Sequence, residues 1–547
     1  YRYFSLDNSF FFRHHWAMFV RLKSYLSKGN RYEYLQIVES YRDHGAVRQR
    51  VVSNIGRLDQ LAASGQLDQI VSGLSRYSEA YRGFQAFLRG ELEGCTSRTW
   101  GPALIFGRLW DAQRLPEVIR HLAQGRGFQF EVERAVFALA LQRLCAPGSD
   151  LSGTGWLETV EAPGLKALRL QHLYRTCAFL AGIREELERE LFFRDRDLFS
   201  QELDLVFLDT TSTYVYRDEE TAYRRRGFSR DRRADLPQFV LCVAVDVKGW
   251  PVAWEIYPGN TADGAALEQI VGALRERFRI RRAIVVADRG MMSRETIRLL
   301  EDHPGPFDYI LGCRMRKQRE VNEEVLARAG RYQKVAANLE VKEVNVGGRR
   351  YIVCRNPEEA QKDQAAREAI LAKLEEVLAQ GPRGLIGNKG YRRFLKIAKG
   401  SVRIDPEAVE EDARLDGKFV LATNTHLPAA EVARSYKSLW RVERAFREEK
   451  STLEVRPIYH HRDDTSLGHI VASFLALRLE VDLQRRLEEK EIEAPWPQLM
   501  QQLSQVQAVH IGLGGRHFLI RTDLGPLASQ AFQAVGMRPP PRMVELE

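Results

Sequence analysis

Three acidic side chains have the types and settings to hold a divalent cation. Asp209 closes the apolar run of VFLDTTSTY, and Asp288 closes that of IVVADRGM. One carboxylate at the end of an apolar strand ordinarily caps a loop. Two on adjoining strands converge at one edge of a sheet, where like charges are costly unless a cation neutralises them. Hard divalent ions take such oxygen ligands. The third acid is Glu443, in YKSLWRVERAFREEK, residues 436–450. Tyr436, Glu443 and Lys450 recur every seven positions, and a helix drifts only about 20° per heptad. The spacing predicts one stripe carrying all three, with Trp440 beside it. Leu439, Val442 and Phe446 supply an apolar face to pack that helix on the sheet and aim Glu443 at the strand ends.

The elements that must position these acids are legible from residue 203 onward. LDLVFLD is an apolar strand, and QFVLCVAVDVKGWPVAWEIYPGN is a hairpin around Val247-Lys248-Gly249. ADGAALEQIVGALRERF is an amphipathic helix, and AIVVAD is a buried strand of the parallel type. SRETIRLLEDH is a helix capped by Ser293, with Glu295 in its first turn, and FDYILGC is a further strand. Three antiparallel strands followed by helical crossovers predict an α/β fold: a ribonuclease H-like mixed sheet with helices on both faces. Its first part spans 201–313. A β-rich insertion over 314–413 interrupts it, with Gly347-Gly348 as a hairpin turn. The second part, 414–490, carries GKFVLATNT and the Glu443 helix.

Upstream, Tyr32–Asp59 reads as two strands joined at His44-Gly45, followed by helical patterns, and an N-terminal DNA-binding module is expected over 18–100. A helical module occupies 101–200. Residues 491–547 form a tail with its own small β pattern, a candidate for dimerisation. The aromatic-rich stretch 1–17 has no helical period and no signal-peptide pattern; it is expected to be a non-native leader.

The set DTT at Asp209, ADRG at Asp288 and Y-x6-E-x6-K from Tyr436 resembles the DDE transposases of bacterial insertion sequences. The resemblance is to the subgroup with a tyrosine-arginine-glutamate-lysine signature helix and a β-rich insertion. RADLPQFV, YPGNTAD, GKFVLATNT and RPIYHH match as well, in the same order. The resemblance implies that Asp209, Asp288 and Glu443 hold two Mg²⁺ (or Mn²⁺) ions. It also implies metal-dependent cleavage at transposon ends, followed by strand transfer into target duplex DNA. Tyr436 and Lys450 would contact the DNA backbone. The signature arginine is replaced by Leu439, which cannot bind phosphate, so a hairpin-ended excision intermediate is not implied here. Two rivals are a ribonuclease H-like nuclease that cuts without joining and a DNA-binding protein whose catalytic site has decayed.

The densest basic run, YRRRGFSRDRR at Tyr223–Arg233, follows Asp209 closely. A cationic loop beside an acidic metal site suits a phosphate backbone, which nominates Arg224, Arg225, Arg226, Arg230 and Arg233 as DNA contacts. Arg289, next to Asp288, and Trp440 join that set. The formal charge of +9 over 547 residues favours a polyanionic partner. With 44% hydrophobic and 28% charged residues, the chain is globular in composition. Its six cysteines form no C-x-x-C pair, which argues against a zinc site or disulfide framework and for a reducing cytosol; the resemblance implies a bacterial cytoplasm, with nucleoid association on DNA. His460, His461 and His469 fit no zinc spacing and are expected to be structural. GPRGLIGNKG lacks the G-x-x-x-x-G-K-[ST] pattern, which excludes a nucleotide-binding P-loop. A homodimer is expected, because two ends must be cut and joined together.

Overall fold

The computed structural model describes residues 18–27, 29–43, 46–75, 77, 90, 92–199, 205–280, 283–301, 307–380, 389–398, 401–513 and 515–546. The expected leader, 1–17, lies outside these. The chain divides into two compact units: Tyr1–Ser97 with Ala508–Arg521 and Pro541–Glu547, and Arg98–Gln507 with Thr522–Pro540.

In the first unit, β1 (Met18–Ser27), β2 (Asn30–Asp43) and β3 (Ala46–Arg57) form an antiparallel meander. The pair β2–β3 is the expected hairpin, with Asp43 opposite Ala46; the expected turn residues His44 and Gly45 lie outside the described residues. β1 is an addition to the expected strands; Val20-Arg21-Leu22-Lys23 alternates apolar and basic residues as a strand does, yet both its apolar and basic residues are largely exposed. Two short helices follow, α1 (Leu58–Ala63) and α2 (Gln66–Ser75), then β4 (Leu92–Thr99).

The second unit opens with helices α3 (Gly101–Ala112), α4 (Leu115–Ala123), α5 (Val132–Cys145), α6 (Asp150–Leu157) and α7 (Leu170–Phe199). Next come β5 (Leu205–Tyr214), β6 (Gln238–Val245), β7 (Pro251–Pro258), α8 (Asp263–Glu276), β8 (Ile284–Ala287), α9 (Arg294–Glu301) and β9 (Asp308–Gly312). β5, β6 and β7 pair antiparallel; β8 lies parallel to both β5 and β9. Ser293 caps α9 as its sequence predicts, its hydroxyl accepting from the Thr296 amide at 3.0 Å.

The residues after β9 do not form a separate β layer. β10 (Gln333–Ala336), β11 (Leu339–Val346) and β12 (Arg349–Arg355) continue the same sheet, followed by α10 (Pro357–Gln380), α11 (Lys389–Arg392), the hairpin β13 (Leu395–Ala398) and β14 (Ser401–Ile404), and α12 (Pro406–Ala413). β15 (Lys418–Thr423) joins the two halves, giving the nine-strand order β10-β11-β12-β15-β9-β8-β5-β6-β7. Gly347 and Gly348, both at positive φ, make the predicted tight turn between β11 and β12.

Then follow α13 (Ala429–Lys437), α14 (Trp440–Ser451), α15 (Asp463–Glu488), α16 (Trp496–Gln505), β16 (Gln507–Leu513), β17 (Arg516–Arg521), α17 (Pro526–Ala534) and β18 (Met543–Leu546). The tail strands do not stand alone: β18, β17 and β16 line up with β4 in one four-stranded sheet.

Side-chain alternation divides the large sheet into two cores. Phe207, Val243, Val286, Ile310 and Leu421 face a core shared with α3–α7 and α13–α17. Val206, Leu208, Cys242, Val285, Ala287 and Leu311 face the opposite core, built with α8 and α9. Helices thus cover both faces. α15 is buried along most of its length: its apolar stretch from Leu467 to Leu479 runs through the core, and the buried Arg478 and Asp482 are paired with Asp195 and Arg486. At Gly468 it touches α7 so closely that a Cβ would sit 1.8 Å from the Cys177 carbonyl oxygen.

Candidate active site

The face on which Asp209 and Asp288 sit follows from counting by twos. Asp209 lies two residues past Phe207, and Asp288 two past Val286, so both belong to the face covered by α13 and α14. The parallel register pairs Leu208 with Ala287, which sets Asp209 level with Asp288 on neighbouring strands. Asp209 is not at a strand end, as its sequence suggests; β5 runs on to Tyr214. It is β8 that stops, at Ala287, and this opens the sheet beside Asp209.

The signature segment is not one helix. α13 ends at Lys437 and α14 begins at Trp440. Between them the hydrogen bonds tighten to three-residue spacing: the amides of Leu439, Arg441 and Val442 bond the carbonyls of Tyr436, Ser438 and Leu439. Leu439, where the family signature has arginine, is buried at this junction. The single stripe expected from the heptad spacing is therefore broken. α13 packs against β8, β9, β11 and β12, and α14 against β5 and β6.

Each half then serves a different acid. From α13, the Tyr436 hydroxyl donates to Asp288 Oδ1 at 2.9 Å, and its ring stacks on Phe419. Burial and the adjacent Asp288 charge hold this phenol far above its ordinary pKa, so it stays a donor. Gly312 makes room for it, since a Cβ there would come within 2.4 Å of the Tyr436 oxygen. From α14, Glu443 is exposed and close enough to Asp209 to act on its charge. Asp209 Oδ1 accepts from the Thr210 amide at 2.7 Å. Its carboxyl is pushed up to about 6, first by burial and then by the charges of Asp288 and Glu443, with Arg230 and the Thr210 amide opposing.

The three acids are coupled but not tightly gathered. Among the described residues, the one set of three ligand-type side chains with donor atoms within 4.8 Å of one another is Asp150, Cys177 and His460, which contains none of them. That set is buried and already charge-balanced. The Arg143 guanidinium lies 3.5 Å from Asp150, and the Cys177 thiol, its ionisation disfavoured by burial, donates to the same carboxylate. His460 and His469 meet edge to face beside it, and His461 pairs with Arg217 at 2.7 Å.

Arg230 alone of the basic run reaches the acids. Its guanidinium lies 3.5 Å from Asp209 and 3.1 Å from Asp263, a carboxylate at the start of α8 that also accepts from the Thr210 hydroxyl at 2.7 Å. Arg224 is buried, bonded to Asp463 at 2.8 Å and to the His461 carbonyl at 2.7 Å, so it faces protein rather than solvent. Arg225 and Arg226 pair with Glu220 and stay partly exposed. Arg233 pairs with Asp235 and lies over the Tyr214 ring. Arg289 is exposed, and Trp440, 47% exposed, carries the Arg441 guanidinium over its face. Lys450 reaches Asp231 at 3.0 Å. Four residues that contact these side chains had no assigned role in the sequence: Asp263 on Arg230, Asp231 on Lys450, Arg456 on Asp231, and Gly312 beneath Tyr436. Asp263 lies within YPGNTAD, and Asp231 is the single acid inside the basic run.

Residues 20–86 match the IS1634 family transposase N-terminal domain, and residues 200–479 match the transposase DDE domain. The second match covers 280 of the 547 residues (200 to 479 inclusive), more than half. The chain belongs to the DDE transposase family. It is a transposase, an enzyme of metal-dependent chemistry on DNA. No curated protein matches it. Among solved structures, it is similar to a cryo-EM structure of a piggyBac transposase synaptic complex with hairpin DNA. Sequence identity is 10%, the TM-score is 0.40, and coverage is 74% of this chain and 79% of that one. Among the described residues, no helix of this transposase is long and apolar enough to cross a membrane.

Proposed function

We propose that this transposase cleaves DNA at the inverted-repeat ends of its own insertion sequence and joins the freed 3′ ends to target DNA. Asp209, Asp288 and Glu443 would hold two Mg²⁺ (or Mn²⁺) ions. The observation that supports this reading most is placement: the parallel register of β5 and β8 sets Asp209 level with Asp288, on the face where α14 brings Glu443 close enough to act on the Asp209 carboxyl, and an all-oxygen donor set suits these hard cations. The strand order β7-β6-β5-β8-β9, with β8 parallel to β5, supports a ribonuclease H-like reading of the fold.

Divalent cations bound there would offset the charge that builds on the phosphorus oxygens and on the leaving 3′ oxygen. The chain's own part is placement. The Thr210 amide fixes one oxygen of Asp209, and the Tyr436 hydroxyl fixes one oxygen of Asp288. Water is the first nucleophile, and the freed 3′-OH is the last. Both displacements run in line at phosphorus, so one site serves both. Tyr436 is thus a positioning residue rather than a phosphate contact. Lys450, Arg225, Arg226, Arg230, Arg233, Arg289 and Trp440 would face the DNA; Arg224 is committed to Asp463 and drops out. The six free thiols suit a cytoplasmic setting, and a homodimer, with the tail as its candidate interface, would hold two ends together.

A pre-cut duplex ending in the element's terminal repeat, incubated with supercoiled target and Mg²⁺, separates this reading from that of a plain nuclease. Joined products are the expected result. Cutting of an intact end without any joining would leave the nuclease reading in its place.

A further inference from the structure

Residue 231 interrupts the basic run with a carboxylate, and its neighbours explain why. Asp231 is 7% exposed in its side chain. Its Oδ1 takes both Lys450, at 3.0 Å, and the Arg456 guanidinium. Its Oδ2 is buried without a hydrogen-bond partner among the described residues. A carboxylate held by two cations through one oxygen, with the other unsatisfied, is held at a cost. A phosphate diester carries the same single charge and would meet the same two cations with two oxygens. One residue earlier, Arg230 sits on Asp209 and Asp263 and donates to the Thr210 hydroxyl at 2.6 Å, while its amide bonds Ser212 at 3.0 Å. A cation there competes directly with any divalent ion for Asp209.

We propose that Arg230 and Asp231 form a guard that makes metal loading conditional on DNA. Asp231 stands on Lys450 and Arg456 in place of a backbone phosphate. While it does, Arg230 is held on Asp209. A phosphate that takes the two cations frees Asp231, and because the residues are adjacent, Arg230 leaves with it. Asp231 is then a positioning residue acting through Arg230. The inference rests on the reading of Asp209 as a metal ligand and of Lys450 as a phosphate contact.

The test is Mn²⁺ binding by the full-length protein, read from the free-ion electron paramagnetic resonance signal, with and without a duplex carrying the terminal repeat. The wild-type chain should bind Mn²⁺ about tenfold or more tightly with the duplex. In Asp231→Asn and in Arg230→Gln, the affinity without duplex should rise to near the duplex-bound value, taking the ratio toward one. The sign in Asp231→Asn is diagnostic: simple loss of a nearby anion would weaken Mn²⁺ binding, whereas release of the guard strengthens it. Arg230→Gln keeps the test open if Asp231→Asn fails to fold. An unchanged ratio in the folded variants, weaker binding in Asp231→Asn, or no duplex effect in the wild type overturns the guard. Asp209→Asn separates the two levels. If it binds Mn²⁺ like the wild type, the metal-site reading itself fails; if it loses Mn²⁺ while the ratio persists in the guard variants, the guard fails alone.

Discussion

Asp209 combines burial, a backbone amide and two acidic neighbours in one carboxyl, and its stability cost can be measured. Its ordinary value is 3.8 and the folded value about 6. The folded chain therefore keeps a proton that the unfolded chain gives up. Stability linked to this group is intact below about pH 4 and is lost as pH rises through about 6. In metal-free protein, Asp209→Asn should raise unfolding stability by about 1–3 kcal/mol near neutral pH. The gain should shrink toward zero by about pH 4, read by urea denaturation; a variant less stable than wild type at neutral pH would refute the crowding of acids around Asp209. Tyr436→Phe removes the bond to Asp288 and little else. Metal-dependent cleavage and Mn²⁺ affinity should each drop about 10- to 100-fold, with end binding nearly unchanged in a fluorescence anisotropy titration. A large loss of DNA affinity would instead return Tyr436 to the phosphate backbone. Residue chemistry was partly legible in the sequence. Asp209, Asp288 and Glu443 were nominated from strand ends and a heptad, although Asp209 lies inside β5 and the heptad crosses a helix break; Asp263 and Asp231 went unread, because their partners lie 53 and 219 positions away.

Element boundaries came through closely in β6 to β9 and α15, whereas the strand read as ending at Asp209 runs on to Tyr214. The junction between α13 and α14 was hidden because a three-residue turn of hydrogen bonds leaves an apolar pattern almost intact: Leu439 and Val442 are buried on either reading. The insertion strands were legible as strands, yet nothing local says that β12 pairs with β15, since register is decided by a partner some seventy residues on. The helices themselves depend on close backbone approach. Gly468→Ala would drive a methyl into the Cys177 carbonyl and separate α7 from α15. A loss of about 3 kcal/mol is expected, visible as a lower urea midpoint; a silent substitution would show that α15 is not clamped there.

Across the whole molecule, the excess of 82 basic over 73 acidic side chains gives the +9 charge, but many of the arginines are spent on internal pairs such as Arg224–Asp463 and Arg478–Asp195. Net charge alone therefore overstates what is left for DNA, which is why composition could favour a polyanionic partner without locating it. DNA contact makes a prediction: affinity for an end duplex should fall linearly in log–log form with salt, and Lys450→Ala, which removes a cation now paired with Asp231, should reduce that slope by about one. An unchanged slope would remove Lys450 from the phosphate contacts. Asp209, Asp288 and Glu443, far apart in the chain, are proposed to act as one metal-dependent site. The most direct test is cleavage of a duplex carrying the terminal repeat by the wild-type chain and by Asp209→Ala, Asp288→Ala and Glu443→Ala, with Mg²⁺ or with chelator. Cutting should require the metal and vanish in all three variants while each still binds the duplex; metal-dependent cutting that persists in any one of them would contradict the account.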